Sequence, residues 1–192
     1  MFKISETILK TGQIDVMKPW YRKVLDIETL FEHDPNKREG PADYGGQTRA
    51  SDLRMCFFRL SDAFPFTQMI GLFEEPGTAT SPVKGAPGLH HMQLMSPDFE
   101  TLIAKYEHLR ALGLRPHRST NHGVMTSFYY RDPDGNNVEF TAQNFSTLEE
   151  MTTFMKGAYF AKNPSGEEIL DPEAFVARYR SGTPQSELTR LA

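Results

Sequence analysis

A chain of 192 residues, 39% hydrophobic and 24% charged, has the composition of a soluble globular protein with room for one sizeable core or two small modules. Its net charge of −4, with no basic block, argues against nucleic acid as a partner, and no apolar run reaches the length of a membrane span. The single cysteine, Cys56, cannot close an internal disulfide and reads as a buried strand residue in the run Met55-Cys-Phe-Phe58; with no charged-then-apolar signal opening the chain, the expected location is cytoplasmic.

The first predicted strand runs from about Phe2 to Lys10, and a helix follows from about Ile14 to Leu25. In that helix Ile14, Met17, Tyr21 and Val24 recur three or four apart, which marks one buried face. A short strand is expected near Thr29 to Phe31. Residues 33–52 are polar and rich in Gly, Pro and Asp, a long loop of the kind that serves as a lid or a mobile segment. Strands at about Met55 to Leu60 and Thr67 to Phe73 meet around Pro65. Three prolines and several small residues then make 76–88 a linker.

The second half repeats the first. Glu6-Thr-Ile-Leu-Lys-Thr11 aligns on His91-Met-Gln-Leu-Met-Ser96, after which Ile14, Met17, Tyr21 and Val24 fall on Phe99, Leu102, Tyr106 and Leu109. The second helix is predicted from Pro97 to Leu112, with Gly113 placed to end it. A hairpin spans Ser127 to Phe140, turned by Asp132-Pro-Asp-Gly135, where Pro fixes one dihedral and Gly admits a positive one. Beyond about residue 142 lie two helix starts: the capping box Ser146-Thr-Leu-Glu149, and Asp171-Pro-Glu173 with Pro at the first helical position. The expectation is an α+β fold: a paired domain over 1–142 (module one about 2–75, linker 76–88, module two 89–142) and a helical extension over 143–192. Leu148, Met151, Phe154, Met155 and Phe160 give the extension a greasy face, to be packed on the body or on a second subunit.

Three side chains stand out chemically. Glu139 alternates with Val138 and Phe140, so it points away from their face. Glu6 and His91 occupy the same place in their two copies. A lone polar residue in a strand is usually solvated or hydrogen-bonded, but matched donors on both copies and a third on the closing strand point to a metal held by Glu6, His91 and Glu139. The copy-one position equivalent to Glu139 is Gly71, so no fourth ligand is expected there. His90, one residue from His91, should face the opposite way on a strand. His33, His108 and His117 fall in loops or on an exposed helix face.

Two tandem strand-helix-strand-strand-strand units closed by Tyr130-Arg-Asp-Pro-Asp-Gly-Asn-Asn-Val-Glu139 resemble the vicinal oxygen chelate superfamily, over about Phe2 to Thr141. Gly88-Leu-His-His-Met92, Asn121-His-Gly123, the hairpin and the tail from Asn144 to Leu188 are similar to single-domain proteins described as biphenyl-2,3-diol 1,2-dioxygenase-like. The resemblance implies tandem βαβββ modules curled into an open barrel, a homodimer, and a metal-dependent enzyme that chelates a substrate through vicinal oxygens. It implies extradiol-type cleavage of a catechol-like aromatic, with Fe(II) as the metal and Mn(II), Mg(II), Zn(II) or Ni(II) as alternatives. By motif His91 matches the second-unit histidine ligand, Glu139 matches the closing glutamate, and Glu6 stands where the first-unit histidine would be. His122 matches an acid-base histidine near the metal, and Tyr130 reads either as a substrate contact or as core. Glu6 is also a candidate general base. Two readings stay open beside the dioxygenase: a non-oxidative isomerase, lyase or cyclase of glyoxalase type acting on an enolisable substrate, and a resistance-type protein that sequesters a ligand. The 14 phenylalanines suit an apolar cleft for an aromatic substrate and suit a plain core equally.

Overall fold

The computed structural model describes residues 2–35 and 48–191, and the chain divides into two compact units. Most of the expected long loop, residues 36–47, lies outside the described residues, and with it the expectation of a lid. The first unit comprises 1–88 together with 132–136, and the second 89–131 with 137–192.

In the first unit, strand β1 (Glu6–Thr11) leads into helix α1 (Ile14–Leu25), then β2 (Phe31–His33), β3 (Arg54–Ser61) and β4 (Gln68–Glu74). The sheet order is β1-β4-β3-β2, with β1 parallel to β4 and the other pairs antiparallel. Helix α1 buries Ile14, Met17, Tyr21 and Val24, the four residues at helical spacing. The strands supply Leu9, Cys56, Phe58, Ile70 and Leu72 to the same core. Burying each such side chain contributes roughly 1.5–3 kcal/mol. Burial also pushes the Cys56 thiol up to about 11, so it stays protonated and inert.

The second unit repeats this order. Strand β5 (Met92–Met95) precedes helix α2 (Phe99–Ala111), then β6 (Arg118–Asn121), β7 (Met125–Arg131) and β8 (Asn137–Gln143). Helix α2 starts at Phe99, two residues later than the expected Pro97, and is capped by Asp98, whose carboxylate accepts from Thr101 N at 2.7 Å. It ends at Gly113, φ +79°, with Leu114 N bonded to Leu109 O and Gly113 N to Arg110 O, a Schellman closure. Phe99, Leu102, Ile103, Tyr106 and Leu109 face Phe128, Tyr130, Val138 and Phe140 in its core.

The extension adds α3 (Leu148–Met155), α4 (Ala158–Lys162), strand β9 (Glu167–Glu168), α5 (Pro172–Arg180) and α6 (Gln185–Leu188). Strand β9 pairs antiparallel with β6, giving the order β5-β8-β7-β6-β9. The capping box of α3 falls one residue later than the sequence pattern indicates: Thr147 caps, and Glu150 accepts from Thr147 N at 3.0 Å. Asp171 caps α5 through Ala174 N, with Pro172 at the first helical position, as expected.

The turn 132–136, although it joins β7 to β8, clusters with the first unit. Asp132 organises it by accepting from Asn136 N at 2.8 Å, Asn136 Nδ2 at 2.9 Å and the buried Tyr21 hydroxyl at 3.0 Å. Gln13 Nε2 donates to Asp134 Oδ1 at 2.6 Å. Burial pushes the Asp132 carboxyl above its ordinary range, and its three donors oppose that shift. Replacing Tyr21 by Phe removes one of three donors and is expected to cost about 1 kcal/mol. Asp132→Ala releases the turn and strands the Tyr21 hydroxyl, and is expected to cost about 2–4 kcal/mol. Urea unfolding midpoints check the ranking, and an Asp132→Ala variant as stable as Tyr21→Phe would contradict it.

Candidate metal centre

The second-unit sheet sorts its side chains by alternation. In the β7–β8 ladder Phe128 pairs with Phe140 and Tyr130 with Val138, and this face takes helix α2. On the opposite face Ser127 pairs with Thr141 and Tyr129 with Glu139. In the β5–β8 ladder Gln93 falls beside Glu139, and His91, just before β5 begins, brings its Nε2 to 3.4 Å from Glu139 Oε2 on that face.

Glu139 is 1% exposed, and its two carboxylate oxygens are engaged unequally. Oε1 accepts from the Tyr129 hydroxyl at 2.9 Å. Oε2 is buried, has no hydrogen-bond partner, and lies 3.4 Å from His91 Nε2. A charge-assisted hydrogen bond would be about 2.7–2.9 Å, so His91 is set back from bonding distance. Two ligands each about 2.1 Å from one cation, at right angles, stand roughly 3 Å apart, close to the separation seen here. An orphaned, buried carboxylate oxygen facing an imidazole nitrogen fits a divalent metal. Among the described residues no three His, Cys, Asp or Glu side chains gather to hold an ion, so within the second unit the donors are this pair.

The His91 ring is oriented from behind. Strand β5 begins at Met92, so His90 escapes the strand alternation that would turn it away. Instead His90 Nδ1 sits 2.7 Å from His91 Nδ1, and the His90 carbonyl accepts from Asn137 Nδ2 at 3.1 Å. With His91 Nδ1 engaged there, Nε2 is the nitrogen turned to Glu139.

His122 completes the cluster. It stands in the turn after β6, with Gly123 at φ +81° and Gly123 N bonded to Asn121 Oδ1 at 2.9 Å. Asn144 Nδ2 ties the turn by donating to Asn121 Oδ1 and to the Gly123 carbonyl. His122 Nδ1 meets the Ser165 carbonyl at 2.9 Å, and Nε2 meets the Tyr129 hydroxyl at 2.9 Å. Burial holds the His122 pKa below its ordinary value against the opposing pull of Glu139, so the ring is neutral near pH 7. A neutral Nε2 and Glu139 Oε1 therefore compete for the one Tyr129 hydrogen. Burial and the bond to Glu139 hold the Tyr129 phenol well above its usual pKa, so it stays protonated and can pass that hydrogen between them.

Tyr130 does not join this cluster. It packs edge-on against Phe140 at 5.9 Å in the core and is 2% exposed, so of its two readings the core one holds and its candidacy as a catalytic or substrate-contacting residue is corrected. Glu6 opens β1 in the first unit and is exposed. The ladder there pairs Ile8 with Gly71 as Gln93 pairs with Glu139, which makes Gly71 the counterpart of Glu139. A side chain at Gly71 would meet Ile8 Cδ1 at 2.6 Å and Phe57 at 3.0 Å. A first-unit cavity of about 660 Å³, lined by Ile8, Lys10, Arg49, Leu53 and Phe73, has an ion pair of Lys10 with Glu75 at 2.6 Å and, among the described residues, no histidine in its lining.

Residues 3–140 match the family described as the Glyoxalase/Bleomycin resistance protein/Dioxygenase superfamily. Over its full length the chain is similar to two proteins of Rhodococcus globerulus, biphenyl-2,3-diol 1,2-dioxygenase 3 (34% identical) and biphenyl-2,3-diol 1,2-dioxygenase 2 (32%), covering 99% of this chain and 88% of each relative. In fold it is similar to a glyoxylase/bleomycin resistance protein/dioxygenase domain from Frankia sp. EAN1pec, with a TM-score of 0.56 at 19% identity over 74% of this chain and 98% of that one. A fosfomycin resistance protein from Listeria monocytogenes, in a complex with Mn(II), gives a TM-score of 0.50 at 14% identity over 79% of this chain and 98% of that one. The chain belongs to the glyoxalase/bleomycin resistance protein/dioxygenase superfamily.

Proposed function

We propose that the protein is a metal-dependent extradiol-type dioxygenase acting on a catechol-like aromatic. The observation that carries this reading is Glu139, whose Oε1 is tied to a Tyr129–His122 relay while its Oε2 is bare beside His91. The full-length likeness to two biphenyl-2,3-diol dioxygenases supports the substrate class. His91 and Glu139 would hold the metal, and a bound Fe(II) would supply the redox chemistry that dioxygen requires and a binding place for two vicinal oxygens.

The side chains do the proton work. A phenolic hydroxyl of the diol gives its proton to His122 Nε2, directly or through the Tyr129 hydroxyl. Nδ1 keeps its own hydrogen, donated to the Ser165 carbonyl, so the ring becomes an imidazolium facing the Glu139 carboxylate. The same proton is returned as the ring opens. His90 keeps the His91 ring turned toward Glu139 throughout.

Loaded with Fe(II) without air, the wild-type protein is expected to consume one dioxygen per catechol lost, measured with an oxygen electrode. His91→Ala and Glu139→Ala are each expected to lose iron on desalting and at least about 100-fold in activity. Stoichiometric metal without oxygen uptake would move the reading to a non-oxidative isomerase, lyase or cyclase. Failure to retain metal would move it to ligand sequestration.

The lowered His122 pKa sets a pH profile. Its neutral form is the base, and a lowered pKa keeps that form as pH falls through the ordinary histidine value of about 6.5. The kcat is expected to hold through that value and fall below it, and His122→Phe to lose about 100-fold together with that acidic limb. A limb at or above the ordinary value would remove His122 from the role.

Glu6 enters through the internal repeat alone. As a ligand, its replacement by Gln should weaken metal binding about tenfold or more. Unchanged metal affinity in Glu6→Gln, measured by competition with a chelator, would return Glu6 to an ordinary strand carboxylate.

A further inference from the structure

The two contacts of the His122 ring are chemically unlike. A carbonyl oxygen only accepts, so the 2.9 Å contact with Ser165 requires the hydrogen on Nδ1. A hydroxyl donates or accepts, so Tyr129 adapts to whatever Nε2 presents. The Ser165 carbonyl therefore decides the tautomer, and Tyr129 follows it.

What brings that carbonyl to His122 is a short stretch of the extension. Gly166, at φ +72°, lies so close to the β6 end that a Cβ there would stand 2.1 Å from the Asn121 carbonyl oxygen and 2.4 Å from His122 Cα. Those are backbone atoms that no rotamer change can move aside. Only glycine meets both the dihedral and the approach. On its far side β9 pairs Glu167 with Asn121 and Glu168 with Thr120, and Ile169 N bonds to Ser119 O at 2.9 Å. On the near side Gly166 N bonds to Asn163 O at 3.0 Å, and the Tyr159 hydroxyl donates to the Glu167 carboxylate. The stretch is thus fastened on both sides of Gly166, whose approach to the His122 backbone leaves no room for a Cβ.

We propose that the segment 163–169 of the C-terminal extension is a working part of the site, with Gly166 as a positioning residue that lets the Ser165 carbonyl lock His122 in the Nδ1–H tautomer. The lock leaves Nε2 as a lone pair aimed at Tyr129, the state a proton acceptor requires. The inference rests on His122 as that acceptor, but the tautomer belongs to the protein with or without substrate and metal.

Long-range proton–nitrogen correlation spectra of protein labelled with ¹⁵N-histidine, at about pH 8, read the tautomer directly. His122 is assigned by loss of its signals in His122→Asn. In the wild-type protein Nδ1 is expected to be the protonated nitrogen, and a wild-type ring protonated on Nε2 overturns the proposal outright. Gly166→Ala is expected to shift the population severalfold toward Nε2–H and to lower kcat by about tenfold or more with KM nearly unchanged. A folded Gly166→Ala protein with the wild-type tautomer also overturns it. Tyr129→Phe guards against a variant that fails to fold: retained Nδ1–H there supports the carbonyl lock, and its loss makes Tyr129 the determinant instead. Absence of ring cleavage with the expected tautomer sinks the dioxygenase reading and leaves the lock standing.

Discussion

A carboxylate buried to 1% exposure with one oxygen unpartnered is the constraint around which the second unit is arranged. Removing a charge from water costs several kcal/mol unless hydrogen bonds or an opposite charge replace the lost hydration. Tyr129 supplies part of that compensation at Oε1. His91, at 3.4 Å from Oε2, is near enough to share a cation with it and too far for a strong bond to it. The ladder makes this arrangement rigid, because Tyr129 and Glu139 are direct cross-strand partners whose spacing the backbone sets. The rest of the cluster follows from that pair. His122 reaches Tyr129 from the β6–β7 turn, and His90 steadies His91 from before β5.

The two copies of the repeat have diverged in a way that separates packing from chemistry. Equivalent ladders place Phe57 and Gly71 in the first unit where Tyr129 and Glu139 stand in the second. A phenyl ring stands where the second unit has the phenol, and a glycine where it has the carboxylate, with Phe57 and Ile8 too close to Gly71 to admit a Cβ. The first unit's sheet is therefore apolar at the positions where the second keeps its polar relay. What both copies retain is the helix face and the strands behind it, where Tyr21 matches Tyr106 and the aliphatic residues keep their spacing. Duplication preserved what folding needs in each half and left the site face free to specialise.

Much of this was legible in the residues. The 3.6-residue period of α1 and α2 gave both helices and their buried faces, and the turn chemistry of Asp132-Pro-Asp-Gly135 gave the hairpin that presents Glu139. The internal repeat gave the equivalence of Gly71 and Glu139. The site tyrosine was also within reach. With Asp132 to Asn136 as the loop, Arg131 pairs with Asn137, and counting back by twos puts Tyr129 opposite Glu139. Reading alternation in each strand separately, without the register across the turn, left Tyr130 open between substrate contact and core. The His90 orientation was missed for a related reason: alternation holds only inside a strand, and β5 starts one residue after His91. The Ser165 carbonyl carries no side-chain signal at all. Only the glycine beside it, in the sequence Ser165-Gly166-Glu167, marks a place where backbone must come close to backbone.

The extension shows how such a contact arises from the needs of a sheet. Without β9, strand β6 would be an edge, with one row of backbone donors and acceptors open to pairing with another chain. Two residues of added strand cover the Thr120–Asn121 end of that edge, and their exposed side chains are both glutamates, which discourage further pairing. Covering an edge requires only ladder bonds, and those end at Asn121. The chain goes one step further: Gly166 drops the backbone onto His122, and a carbonyl that edge protection does not require is spent on an imidazole nitrogen. Edge protection explains where the strap lies, and the glycine explains why it touches the ring.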